Sequence, residues 1–168
     1  LELTDRFTDL VDERIDLAIR IGKLEESSLV ARKVGEIKMQ LCATPEFIAA
    51  HGSPDTLQKL ALFPCVIDSN YPGGNQWQLI TGKQQLVIEM NGKFSVNNAR
   101  AARDLVLDHK GIGFLPSFVI EQQLQQGQLT AILENHSPPP VGIYAVYLHR
   151  KHLSDKVRRM IDLLIESL

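Results

Sequence analysis

The sequence predicts an α/β protein made of two lobes joined by two crossing strands. Three observations lead there. Short apolar runs alternate with helix-start signals along nearly all of the chain. The run Ile15-Asp16-Leu17-Ala18-Ile19-Arg20-Ile21-Gly22 is almost wholly apolar, the pattern of a strand buried on both faces in a parallel sheet. The opening strands and a closing strand and helix flank a middle that is self-sufficient, so the chain is expected to cross between lobes near residues 41–44 and 140–143.

The elements follow in order. Leu1-Glu2-Leu3 reads as the tail of a strand, and residues 4–14 as an amphipathic helix. Thr4 suits its N-cap, Asp5 favours the positive end of the dipole, and Phe7, Leu10 and Val11 share one face. After the run 15–22 comes an exposed turn over 23–28, then strands over 29–34 and 37–43. In the second of these Ile37, Met39, Leu41 and Ala43 alternate with Lys38, Gln40 and Cys42, which predicts a strand exposed on one side. Thr44-Pro45-Glu46 starts a helix that Gly52 stops, and Ser53-Pro54-Asp55 starts another. A buried strand over 65–68 leads to the loop Asn70-Tyr71-Pro72-Gly73-Gly74-Asn75. Strands over 77–81 and 84–90 turn at Gly82-Lys83, and a second turn at Asn91-Gly92 precedes Phe94-Ser95-Val96.

Asn97 or Asn98 caps a helix over 99–109, and Gly111-Ile112-Gly113-Phe114-Leu115-Pro116 reads as a compact strand. A helix over 117–125 ends at Gly127; a strand over 129–133 and the stiff run Ser137-Pro138-Pro139-Pro140 follow. A strand over 142–149 then precedes a last helix capped by Ser154. Its expected inner face is Val157, Met160, Ile161, Leu164, Ile165 and Leu168. Burying each such side chain contributes roughly 1.5–3 kcal/mol, enough to dock the helix.

Composition narrows the function. The chain has 168 residues, 44% of them apolar and 23% charged, with net charge −2. Its cations are spread out, which argues against nucleic-acid binding by this segment. No run reaches the roughly 18 apolar residues of a membrane span. Cys42 and Cys65 sit in apolar settings with no zinc or redox spacing, so they read as buried thiols of a reducing cytoplasm. The histidines at 51, 109, 136, 149 and 152 offer no ligand pair, and the acids Asp12, Glu13, Glu25 and Glu26 read as solvated faces. No cofactor or metal is called for.

Several segments in order carry a family resemblance. They are the run 15–22, Ser28-Leu29-Val30-Ala31-Arg32-Lys33-Val34, and Leu41-Cys42-Ala43-Thr44-Pro45-Glu46-Phe47. Val96-Asn97-Asn98-Ala99 with the strand 111–116 follows, then Tyr144-Ala145-Val146-Tyr147-Leu148-His149-Arg150-Lys151-His152-Leu153-Ser154. Together they resemble the effector-binding domain of LysR-type transcriptional regulators, which have the type 2 periplasmic-binding-protein fold of two Rossmann-like lobes. The resemblance implies lobe I at 1–41 and 143–168, lacking its first strand and helix, and lobe II at 42–142. It also implies a small-molecule effector, a homodimer or tetramer, and DNA contact only through a winged helix-turn-helix upstream of Leu1. In the implied dimer, helix 4–14 and its edge meet the partner's lobe II. A transporter's solute-binding protein shares the fold and is the alternative; an enzyme would need a nucleophile, for which Cys65 is the candidate.

Ligands of open α/β sheets bind beyond the carboxyl ends of strands, at helix N-termini. That rule selects Thr4 and Asp5, with Thr4 either capping or facing the ligand, and the strand end Arg20, Ile21 and Gly22. Arg20 either binds an anion in the inter-lobe cleft or pairs with Asp16 or Glu2. From lobe II it selects Ser69, Asn70 and Tyr71, together with Asn97 and Asn98, one a cap and the other a ligand candidate. Phe114 and Pro116 end another strand, with packing as their default role.

Overall fold

The computed structural model describes residues 10, 15–22, 29–148 and 154–167. In chain order the strands are β1 (Ala18–Ile21), β2 (Leu29–Ile37), β3 (Met39–Ala43), β4 (Cys65–Asp68), β5 (Gln76–Thr81), β6 (Gln84–Glu89), β7 (Gly92–Val96), β8 (Ile112–Pro116), β9 (Thr130–Ala131) and β10 (Val141–Leu148). The helices are α1 (Pro45–His51), α2 (Leu57–Leu60), α3 (Ala99–Leu107), α4 (Ser117–Gln125) and α5 (Asp155–Ser167), with a 3-10 turn at Glu134–His136. The chain divides into two compact units, residues 1–37 with 140–168 and residues 38–139.

The first unit holds an antiparallel sheet in the order β1-β10-β2. Ile143, Ala145 and Val146 of β10 are buried, as are Val34 and Ile37 of β2, Leu10, and Val157 and Ile161 of α5. Two expectations change here. The run 15–22 contains only a four-residue strand, it is antiparallel, and Ile19 and Ile21 stay 44% and 59% exposed. The reason is position: among the described residues β1 pairs only with β10, at the edge of the sheet, so it has no second neighbour to bury it. The final helix buries a narrower face than its pattern suggests, with Met160 and Ile165 exposed alongside Leu163. The expected strand tail at 1–3, the expected helix over 4–14 apart from buried Leu10, the turn at 23–28, and His149, His152 and Leu168 lie outside the described residues.

The second unit is built on a five-stranded sheet in the order β7-β4-β8-β3-β9. The first three strands are parallel, and β3 runs antiparallel to both its neighbours. Cys42, Val66 and Leu115 form a core with Ala102 and Val106 of α3 and with Val119 and Ile120 of α4. Gly113 lets α3 come close: a Cβ there would stand 2.7 Å from Cγ2 of Val106. β5 and β6 form a separate hairpin turning at Gly82, whose φ of +60° suits glycine.

Three further boundaries move. The alternating run 37–43 breaks at Lys38; within β3 Met39, Leu41 and Ala43 are buried as expected and Gln40 is half-buried, but Cys42 is buried too, because it packs in the core with α3 and α4. The second short helix begins at Leu57 with Thr56 as its cap, since the Thr56 hydroxyl accepts from the Lys59 N–H. The expected strand 129–133 shrinks to Thr130–Ala131, because Leu133 turns into the left-handed region at φ +49°.

Candidate functional site

The carboxyl ends of β4, β7 and β8 lie on one side of the second unit's sheet, because the three strands are parallel neighbours. Beyond β4 the chain turns through Ser69, Asn70 and Tyr71; beyond β7 it passes Asn97 and Asn98 into α3. The two turns are tied together. The Ser69 N–H donates to the Val96 carbonyl at 2.8 Å and its hydroxyl reaches the same oxygen at 3.2 Å. Asn70 donates from Nδ2 to the Asn97 carbonyl at 2.6 Å. Ser69, Asn70, Asn97 and Asn98 are all exposed, so the joined turns present polar side chains to solvent.

The structure separates the two asparagines. Asn98 caps α3, its Oδ1 accepting from the N–H groups of Arg100 and Ala101 at 3.0 and 3.1 Å. Asn97 is left out of the cap. Tyr71 is half-buried, its ring set edge-on to Phe114 at 5.3 Å. Burial pushes its hydroxyl pKa up, against an opposing pull from the Gln78 N–H that donates to Oη at 3.2 Å. Phe114, only 2% exposed, lies in the core between Tyr71 and Trp77, so packing is its role there. Pro116 ends β8 and stands at the N-cap position of α4.

In the first unit Arg20 sits opposite Tyr144 in the β1–β10 pairing. It is half-buried and engaged within the fold rather than free. Ile21 is exposed, and Gly22, at φ +109°, ends the strand with its N–H donating to the Gly142 carbonyl at 3.1 Å. Thr4 and Asp5 lie outside the described residues.

Sequence reasoning passed over two contributors. Asp68, buried to 7% exposure, accepts the Asn70 N–H on Oδ1 at 3.0 Å and so shapes the turn that presents Asn70. A carboxylate closing an apolar strand before a Ser-Asn loop was the signal that could have found it. Gln78 holds Tyr71 through its backbone, which no side-chain pattern announces.

Other groups are structural. His109 meets the buried Thr44 hydroxyl at 2.7 Å, where Thr44 also caps α1. The described residues contain no cluster of three or more His, Cys, Asp or Glu able to hold a metal. Burial pushes the thiols of Cys42 and Cys65 up to about 12, so neither supplies a thiolate near neutral pH. An open depression of about 280 Å³ between α2 and β6, with Leu57, Ala61, Leu86 and Ile88 in its wall, shares no residue with the polar face.

Comparison with known proteins decides the family. The model of the LysR substrate binding domain matches residues 1–168. The chain belongs to the LysR substrate-binding domain family. It is 34% identical to the HTH-type transcriptional regulator DmlR of Escherichia coli K12 over 165 residues, covering 97% of this chain and 53% of DmlR. Among solved structures it is similar to the full-length Vibrio cholerae virulence activator AphB, with a TM-score of 0.85 and 29% identity, over 99% of this chain and 56% of that one. The regulatory domain of CrgA from Neisseria meningitidis has a TM-score of 0.82 and 26% identity, over 94% of this chain and 78% of that one. The chain thus spans about half the length of the curated relatives it matches. The likeness is to the effector-binding domain of transcriptional regulators and not to a transporter's solute-binding protein. As the resemblance implied, the LysR domain has mixed α/β sheets consistent with a periplasmic-binding-protein-like fold.

Proposed function

We propose that this LysR domain senses a small molecule for a cytoplasmic, homo-oligomeric regulator whose DNA contacts lie in another part of the whole protein. The observation that carries the reading is the polar face at the carboxyl ends of β4, β7 and β8, where Ser69, Asn70 and Asn97 stand exposed on turns held together by hydrogen bonds. Such a preformed set of neutral donors and acceptors suits recognition by hydrogen bonding. Asp68, Asn98, Tyr71 and Phe114 support the turns, and Pro116 closes the neighbouring strand. For an anionic effector, charge recognition is assigned to Arg20, with Ile21 and Gly22 ending its strand, and with Thr4 and Asp5 as further candidates.

The domain works by binding, without chemistry. The buried, protonated thiol of Cys65 supports this, since it offers no ready nucleophile. Net charge −2 fits DNA contact made elsewhere. Among the described residues no helix is long and apolar enough to cross a membrane. Exposed Ile19, Ile21, Met160, Leu163 and Ile165 on the first unit support self-association. An effector with different affinities for two arrangements of the regulator would shift their populations and thereby its action on DNA.

A thermal-shift screen of the chain with small carboxylates and neutral aromatic compounds tests the site. A hit should lose at least about tenfold in affinity in a Ser69→Ala, Asn97→Ala double variant, as expected when two hydrogen bonds of roughly 1 kcal/mol each are removed. Unchanged affinity of such hits for that variant would place the site elsewhere.

A further inference from the structure

We propose that His136 is a positioning residue for the effector-binding face, acting through the outer edge of β5 on Tyr71; the proposal rests on the reading of that face given above. Among the described residues β5 pairs with one strand only, β6. Its other edge is held by two side chains. Gln78 donates its N–H to Tyr71 Oη at 3.2 Å, and two residues on, the Ile80 carbonyl meets His136 Nδ1 at 2.6 Å. Residues two apart in a strand turn their backbone polar groups to the same edge, about 7 Å from each other. A carbonyl oxygen can only accept, so Nδ1 carries the proton in this bond. The Thr81 hydroxyl lies 3.4 Å from the same nitrogen.

The two grips belong to different parts of the chain. Tyr71 ends the turn that carries Ser69 and Asn70, and its ring rests on Phe114. His136 closes the 3-10 turn, its own N–H donating to the Leu133 carbonyl at 2.8 Å. Leu133 is held at φ +49°, a conformation a bulky side chain rarely adopts, so its surroundings fix this turn firmly. Directly beyond stand Pro138, Pro139 and Pro140, and the second unit ends at Pro139. Proline fixes φ, so this connector is stiff. Gln78 and Ile80 are therefore a short rigid stretch gripped at one point by the binding turn and at the next by the segment that leaves the unit. Any ligand that draws Tyr71 alters the hold on His136, and the coupling is reciprocal.

Residue-resolved amide hydrogen exchange of the chain tests this without a ligand. His136→Ala should speed exchange at the Gln78 N–H by roughly tenfold, the effect of losing one supporting hydrogen bond. His136→Asn, which can place an amide N–H near the Nδ1 position, should restore most of the protection. Tyr71→Phe should in turn speed exchange at the His136 N–H. The buried Val66 amide of β4 reports global opening and should hold its rate in every variant. If His136→Ala does not fold, the His136→Asn and Tyr71→Phe pair decides alone: the first keeping Gln78 protected and the second exposing His136. Gln78 rates that ignore His136, or that rise only together with Val66, overturn the proposal. Failure of the site itself reads differently: screened compounds would bind away from Ser69 and Asn97 while the exchange pattern stood.

Discussion

Asn97 and Asn98 are neighbours with opposite duties. Asn98 has the extended backbone of an N-cap, φ −153° and ψ 125°, and its carboxamide oxygen takes two N–H groups of α3. Asn98→Ala should therefore destabilise the fold by about 1 kcal/mol, read as a lower urea midpoint. Asn97→Ala should change stability by less than about 0.5 kcal/mol, as an exposed residue outside the cap. Both residues have the chemistry of a cap, so the sequence shows that one of them caps but not which. Backbone angles decide that, and they are set by how β7 enters α3. Cys42 and Cys65 carry a second prediction at this scale. Their folded pKa is raised from 9.0 to about 12, so the unfolded state loses protons first as the solution becomes alkaline. Stability from these thiols is complete below pH 9.0, falls as pH rises towards about 12, and is absent above it. Urea unfolding at pH 8 and at about pH 10 should show this loss, and Cys65→Ala should make the decline shallower.

At the scale of elements, the β5–β6 hairpin joins the turn at 69–71 to the core. Trp77 is 1% exposed and packs on Phe114 with ring centroids 5.4 Å apart, and Phe114 in turn supports Tyr71. Trp77→Ala should cost roughly 3–5 kcal/mol in unfolding free energy. The hairpin was legible because alternating residues flank the Gly82-Lys83 turn, a local signal. What was not legible came from long-range pairing. The run at 15–22 has the composition of a central strand, yet burial depends on how many neighbours it pairs with, and β1 has only β10 among the described residues. On β3 the alternation holds at half-buried Gln40 but fails at Cys42, which α3 and α4 cover in the core. On α5 the helical period was clear, but Val157 and Ile161 are buried while Met160 and Ile165 are not, because the width of the covered face depends on what lies beneath it.

For the molecule as a whole, the order of strands and helices pointed to an α/β fold, the sequence segments from 15–22 to 144–154 carried the family resemblance, and the match over residues 1–168 established it. The parallel arrangement of β4, β7 and β8 brings the second unit's candidate residues to one end of the sheet: strand ends and helix starts are visible in sequence, and topology brings them together. Asp68 and Gln78 escaped because their contributions depend on backbone contacts. If the exposed apolar residues of the first unit mediate self-association, sedimentation should show mass rising with concentration, and Met160→Glu with Leu163→Glu should shift the protein towards monomer. A single monomeric species at every concentration would contradict that reading for this chain. The central claim is that the effector binds at the turns beyond β4 and β7. The most direct measurement is a 1H–15N NMR titration with a compound that raises thermal stability. Saturable shifts should centre on the amides of Ser69, Asn70, Tyr71 and Asn97; shifts centred instead on Leu57, Leu86 and Ile88, with those four unmoved, would contradict it.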